Sequence, residues 1–450
     1  MVKRSLHRCA IALAFLMVSS ALVPCRDAAA GPKSPAPKTK AESSMDGIAE
    51  SFVKLALAVG EHDPLYVDAY FGPEAWREQA MKEKRPLEEI KNAAAPLIAE
   101  LGRLDASREE EPLRIRRTFL IKQLESLVAR VMMLEGTKLT FDEESNALYD
   151  AVAPRSDERR FREALGRIDS LVPPGEGTLL DRLERFKKDL VIPKDRLDAV
   201  FAAAIAEARK RTKEHIALPE DESFTVEYVT GESWGAYNWY KGANRSVIQI
   251  NTDFPTHIDA PVGLACHEGY PGHHVQNVLF EQGLVKDRGW IEFTVSPLFS
   301  PLSPINEGAA TFGIETAFTG DSRHAFERDV LYPLAGIDPV KADVYYAIRK
   351  LLQEVHYAEN EAARQYLDGE ITAEEAAQYL SANALMSLER ARRLVTFFDR
   401  YRSYIINYNV GFDLVKSYIE KRGGTADRPE KRWEEFRALI SSPRVPSELK

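Results

Sequence analysis

Apolar residues recur three or four positions apart along most of this 450-residue chain, the spacing of one helix face. Residues 112–134 are the clearest case. Ile115, Phe119, Leu120, Leu124, Leu127, Val128 and Val131 draw one continuous stripe, which predicts a helix turned towards a core. Residues 87–104 and 196–214 repeat the pattern. Helical periodicity begins near Met45, returns at Pro261 and continues almost to the C-terminus. Two short stretches, 224–229 and 246–251, alternate apolar with polar residues instead, which predicts a pair of strands. Between them, residues 231–244 are rich in Gly, Trp, Tyr and Asn, and 173–177 reads as a loop. The expected fold is mainly α: a large multi-helix body with a small β-hairpin or sheet beside the segment that opens at Pro261.

The first 30 residues read as a targeting segment. Lys3, Arg4 and Arg8 precede an apolar run over 11–23, and Ala28-Ala29-Ala30 offers a cleavage site. The run is too short to span a bilayer, and no later segment resembles a membrane span. Lipid attachment at Cys25 is the competing reading, but Pro24 occupies a position where a small residue is wanted. The expectation is export to the periplasm or beyond, with a signal peptide over 1–30. A flexible linker over 31–45 and a helical domain over 46–450 follow, the latter divisible into lobes 46–220 and 221–450.

Composition narrows the function. With 60 basic against 69 acidic residues, the chain lacks the basic balance of a nucleic-acid coat. Its 44% of apolar residues can bury a large core. Without the leader, Cys266 is the only cysteine left, so no internal disulfide forms.

Three of the nine histidines fall within Cys266-His267-Glu268-Gly269-Tyr270-Pro271-Gly272-His273-His274. Histidine and carboxylate are the usual ligands of catalytic zinc. A glutamate beside the first histidine matches zinc hydrolases in which that glutamate is the general base. The spacing does not suit a regular helix. His267 and His273 would lie about 120° apart around the axis, and His267 and His274 about 10.5 Å apart along it. Pro271 and Gly272 supply the remedy, since interior proline and glycine bend or break a helix. A bulge or kink there would return His273 or His274 to the metal. The alternative is a helix-ending turn with exposed histidines. Glu307, in Asn306-Glu307-Gly308-Ala309, is the candidate third ligand, placed by the pattern in the first turn of a helix; N-terminal capping is its other reading. Glu315 is a weaker substitute.

Residues 267–274 resemble the H-E-x-x-P-G-H-H signature of the domain-of-unknown-function 885 family, whose members are similar to helical gluzincin metallopeptidases. Glu307-Gly308-Ala309 resembles that family's E-G-W segment, with Ala309 in place of the tryptophan. Of its C-terminal P-G-Q-A-x-S-Y-x-x-G pattern, Tyr408 and Gly411 remain. The resemblance covers the chain from about Asp46 onward and implies a gluzincin-like body holding one Zn2+ on His267, His273 and Glu307. It implies Glu268 as general base, His274 as a group behind the metal or against substrate, and Tyr408 as a donor to the oxyanion.

The expected activity is that of an exported zinc metallopeptidase acting on a peptide or small amide, with no nucleic acid as partner. The alternatives are a zinc hydrolase of a non-peptide amide or ester, and an inactive metal- or peptide-binding protein. Trp234, Tyr237, Trp239 and Tyr240 with Arg245 read either as a peptide groove or as an aromatic mini-core, with residues 246–251 as an edge strand for an extended substrate. Arg390, Arg392, Arg393, Arg400 and Arg402 read as a salt-bridged helix face before a carboxylate receptor.

Overall fold

The stripe over 115–131 is the inner face of a helix spanning Glu111–Leu134, with Phe119, Leu120, Leu124, Leu127 and Val131 almost fully buried. The structure is a computed structural model that describes residues 39–104, 110–232 and 234–450. The leader, Cys25 and most of the linker lie outside the described residues. The first described helix, Lys40–Gly60, starts five residues before the predicted onset. Its Met45, Ile48, Phe52 and Val59 are buried, so the apolar face extends it at the N-terminal end. Residues Lys40–Lys450 form one compact unit.

That unit is mainly α-helical and is built on two apolar cores. One gathers Phe52, Phe119, Phe293, Phe398 and Tyr404. The other gathers Val200, Ile248, Cys266, Ile305, Phe312, Val415 and Phe436. Each core draws on both halves of the chain, because helices after residue 280 return to pack on the first. Among the described residues, no helix is long and apolar enough to cross a membrane.

Among the described residues there are five short strands: β1 (Val67–Tyr70), β2 (Ser223–Val229), β3 (Ala236–Gly242), β4 (Arg245–Asn251) and β5 (Val295–Pro297). β1 and β5 form an antiparallel pair, and the others a sheet of order β2-β4-β3. The two strands predicted from alternation do adjoin, but in parallel, from Ser223 opposite Arg245 to Val229 opposite Asn251. The hairpin is β3–β4 instead. Its turn residues Ala243 and Asn244 have φ of 52° and 60°, the left-handed pair that a two-residue hairpin turn needs. β4 is thus central, and both its edges are already paired. This corrects the expectation that 246–251 offers a free edge to substrate.

Two helices meet backbone to backbone near the histidines. A Cβ on Gly308, in the Ser303–Ala317 helix, would fall 2.2 Å from the carbonyl of Gly411 in the Ile406–Lys421 helix. A Cβ on Gly411 would fall 2.2 Å from the Pro304 carbonyl oxygen. Only glycine at both positions allows this approach, which carries Glu307 up against the residues that lead into the second helix.

Candidate metal centre

The segment that carries the histidines changes its helical pitch and then breaks. Ala260–Leu264 is α-helical, Ala265–Gly269 widens into a π-type turn, and a new helix runs from His273 to Leu279. The Tyr270–Pro271 peptide is cis. The Tyr270 N–H donates to the Ala265 carbonyl (2.8 Å) and the Gly272 N–H to that of Cys266 (2.9 Å). A Cβ on Gly272 would lie 2.0 Å from the His267 carbonyl oxygen, so the chain can turn back here only with glycine. Two helix ends therefore present one histidine each. The His267 and His273 rings lie 4.7 Å apart, nearly perpendicular at 88°.

Glu307 reaches this pair from the Ser303–Ala317 helix. It stands in the second turn rather than the first, because Ser303 and Pro304 open the helix earlier than the pattern predicts. Its Oε2 lies 3.2 Å from His267 Nε2 and 3.6 Å from His273 Nε2, yet takes no directed hydrogen bond. The ligand atoms of His267, His273 and Glu307 all fall within 4.8 Å of one another. Burial works against the Glu307 carboxylate, but the two imidazoles outweigh it and hold the pKa well below the usual range. Burial also lowers the His273 pKa, and Glu307, Glu268 and Asp68 more than reverse this, raising it to about 9.

A dication suits this arrangement. Two imidazole nitrogens and one carboxylate oxygen are a common catalytic zinc donor set. The carboxylate oxygen that faces them is buried, in a residue only 8% exposed, and has no other partner. The remaining oxygen, Oε1, accepts a hydrogen bond from the Tyr404 hydroxyl at 2.7 Å. Thr311 Oγ1 lies 3.3 Å from His267 Nδ1. Outer partners of this kind fix ligand orientation, and losing one typically costs about 10–100-fold in metal affinity. Tyr404→Phe is therefore expected to weaken zinc binding by about that factor while the fold is kept. Competition against a calibrated chelator measures it, and an unchanged affinity would make Tyr404 a packing residue only.

His274 points elsewhere. It is fully buried, with Nδ1 2.9 Å from Ser246 Oγ and Nε2 3.1 Å from Glu222 Oε2. Tyr270 and Arg209 also donate to Glu222, each at 2.5 Å. This network ties the His273–Leu279 helix to the β2-β4-β3 sheet, and His274 is not brought to the metal cluster. Glu315 is likewise apart, paired with Lys416 at 3.1 Å. Ala309 is buried in the second core.

Glu268 is buried beside the first histidine. Its backbone carbonyl is held by Asn238 Nδ2 at 2.7 Å. Burial raises its pKa and the charge of Glu307 adds to this, while His267 and His273 pull the other way. Tyr408 follows Tyr404 by one helical turn; the residue is 37% exposed, and its ring lies 5.9 Å from that of Tyr404. Withdrawal from bulk water, then the charges of Glu307 and Glu268, push its pKa far up and keep the phenol protonated.

Two residues here escaped the sequence reading, Tyr404 and Asp68. Tyr404 sits among periodic core aromatics, and Asp68 lies 199 positions before the first histidine with no motif around it. Burial pushes the Asp68 pKa up to about 7, with His273 opposing and Glu307 reinforcing. Of the aromatic group, Trp234, Tyr237 and Trp239 pack in a row of rings tilted by 45° and 37° on the β3 side. Of the arginines, Arg392 pairs with Glu374 and Arg393 with Glu389 at the surface, while Arg402 reaches the buried Glu144.

No family model matches the chain, and none of the curated proteins matches it in sequence. Solved structures do align with it. A protein from Colwellia psychrerythraea described as "the putative lipoprotein" aligns with a TM-score of 0.51 at 14% identity, covering 92% of this chain and 75% of that one. The structure named "CHT" aligns at 0.47 and 11% identity, covering 89% and 91%. The structure named "BsuCP" aligns at 0.44 and 13%, covering 90% of each. At these identities the likeness to the Colwellia protein concerns the fold alone.

Proposed function

We propose that this chain is an exported zinc-dependent hydrolase that cleaves peptide bonds. The reading rests chiefly on the convergence of His267, His273 and Glu307 with the buried Glu268 beside them. Export is supported by the charged and apolar N-terminal pattern, and the description of the Colwellia protein as a lipoprotein agrees with it. His267, His273 and Glu307 hold the metal. When bound, zinc polarises the substrate carbonyl and acidifies water. Glu268 takes a proton from the attacking water and passes it to the leaving amine. The Tyr408 hydroxyl donates to the carbonyl oxygen as negative charge builds on it.

The purified chain should carry about one zinc and, so loaded, turn over members of a mixed peptide library read by mass spectrometry. Turnover of small esters or amides with no peptide product would favour the non-peptide hydrolase. Stable zinc with no turnover of any substrate would favour a binding protein. Tyr408→Phe removes only the hydroxyl, so melting temperature and zinc content should hold while kcat falls about 10²-fold with little change in KM. An unaltered kcat would assign Tyr408 to packing.

A further inference from the structure

Arg402 holds a backbone conformation that suits glycine better than arginine. It joins the Leu388–Tyr401 helix to the short 3-10 turn Arg402–Ile405, with φ of 54° and ψ of −126°. A residue with a Cβ is strained there, and such strain persists only where the surroundings over-determine the chain. A single carboxylate does so here. Glu144 is fully buried in the Phe141–Tyr149 helix. Its Oε2 accepts a hydrogen bond from Arg402 Nε at 2.6 Å. Its Oε1 accepts from the Ser403 N–H at 3.0 Å and from the Ser403 hydroxyl at 2.6 Å. Both oxygens are thus spent on two successive residues of the turn, and Ser403 is itself fully buried.

The residue after Ser403 is Tyr404, whose hydroxyl donates to Glu307 Oε1 at 2.7 Å. The helix that supplies Glu144 also supplies Tyr149, and the Tyr149 ring meets that of Tyr404 edge-on at 6.0 Å. One helix therefore grips both the backbone that leads into Tyr404 and the Tyr404 ring. We propose that Glu144 is a positioning residue for the metal centre: by fixing the Arg402–Ser403 turn it aims the Tyr404 hydroxyl at Glu307. This rests on the reading of His267, His273 and Glu307 as a zinc site, and it does not depend on which bond is cleaved. It adds a partner from the first half of the chain to a site whose ligands all lie in the second.

The test is the zinc affinity of the full chain, read by chelator competition below the melting transition of every variant. The wild type is compared with Glu144→Gln, Tyr404→Phe and the double variant. Glutamine keeps the size of the side chain but removes the charge and one acceptor oxygen. Glu144→Gln should bind zinc about 10-fold more weakly, the lower end of the range for partners behind a ligand. In the Tyr404→Phe background the same substitution should cost nothing further, because the aim of a missing hydroxyl no longer matters. Losses that multiply in the double variant would overturn the proposal and leave Glu144 a general support of the fold. Should Glu144→Gln not fold, Ser403→Ala takes its place, since it removes one hydroxyl donor and keeps the backbone N–H and the ion pair. Its expected loss is smaller and must also vanish beside Tyr404→Phe; the same loss in both backgrounds, or none in either, overturns the proposal. Tight zinc in the wild type with equal affinity in folded Glu144→Gln overturns this inference alone. A wild-type chain that takes up no zinc overturns the metal reading, and this inference with it.

Discussion

Glu268→Gln is expected to keep the zinc and lose at least about 10²-fold in kcat. The substitution conserves shape and hydrogen-bonding capacity but removes the ability to hold a proton and release it. Glu268 is well placed for that task. It is buried next to His267, and withdrawal from water raises its proton affinity while the neighbouring imidazoles restrain the rise. The balance leaves a buried carboxylate more basic than usual beside the two imidazoles. Its position in the chain does not make it a ligand, since His267, His273 and Glu307 already converge without it. The Asn238 contact to its backbone carbonyl keeps this turn in place in the variant. The decisive comparison is metal content against turnover in one preparation. If zinc and activity fall together, Glu268 belongs among the ligands and the general base must be sought elsewhere.

Periodicity made the helical body legible, because burial of one face is what a helix in a globular fold requires. Residues 112–134 show this, with the predicted stripe facing the core almost residue for residue. The existence of strands at 224–229 and 246–251 was equally legible from their alternation. Their pairing was not, since parallel and antiparallel neighbours share a period of two. The third strand was hidden by its composition: Asn238, Gly242 and the adjoining glycines read as loop, while Tyr237, Trp239 and Tyr240 are residues that suit a sheet.

The candidate ligands were also legible, as histidines too close in sequence to be accidental and too badly spaced for one helix. What brings them together is a pair of helix ends separated by Gly272, and a pair of helices that touch at Gly308 and Gly411. Such long-range contacts have no signature in a single sequence. For the same reason Tyr404, which reaches Glu307 from a distant segment, was found only from the coordinates.

The adjacent histidines are expected to separate cleanly. His273→Ala should abolish tight zinc binding, and with it activity, while His274→Ala should keep zinc near one per chain and lower the melting temperature. Changes in groups behind a zinc ligand already cost about 10–100-fold in affinity, so removing a ligand from a set of three should cost more than that. His273 opens a helix with its ring 4.7 Å from that of His267. The next residue points about 100° away around the helix axis, which turns His274 towards the sheet. There it fills a fully buried position between Ser246 and Glu222. Truncation leaves Glu222 with Tyr270 and Arg209 but without its histidine, and strands the Ser246 hydroxyl in the core. The expected loss is about 1–3 kcal/mol from unpaired polar groups, with a further contribution from the cavity. Zinc measured by plasma emission on dialysed protein, beside thermal unfolding of the same samples, gives both readings. Full zinc in His273→Ala with its loss in His274→Ala, at temperatures where both variants are folded, would mean that the helix starting at His273 turns its other face to the metal.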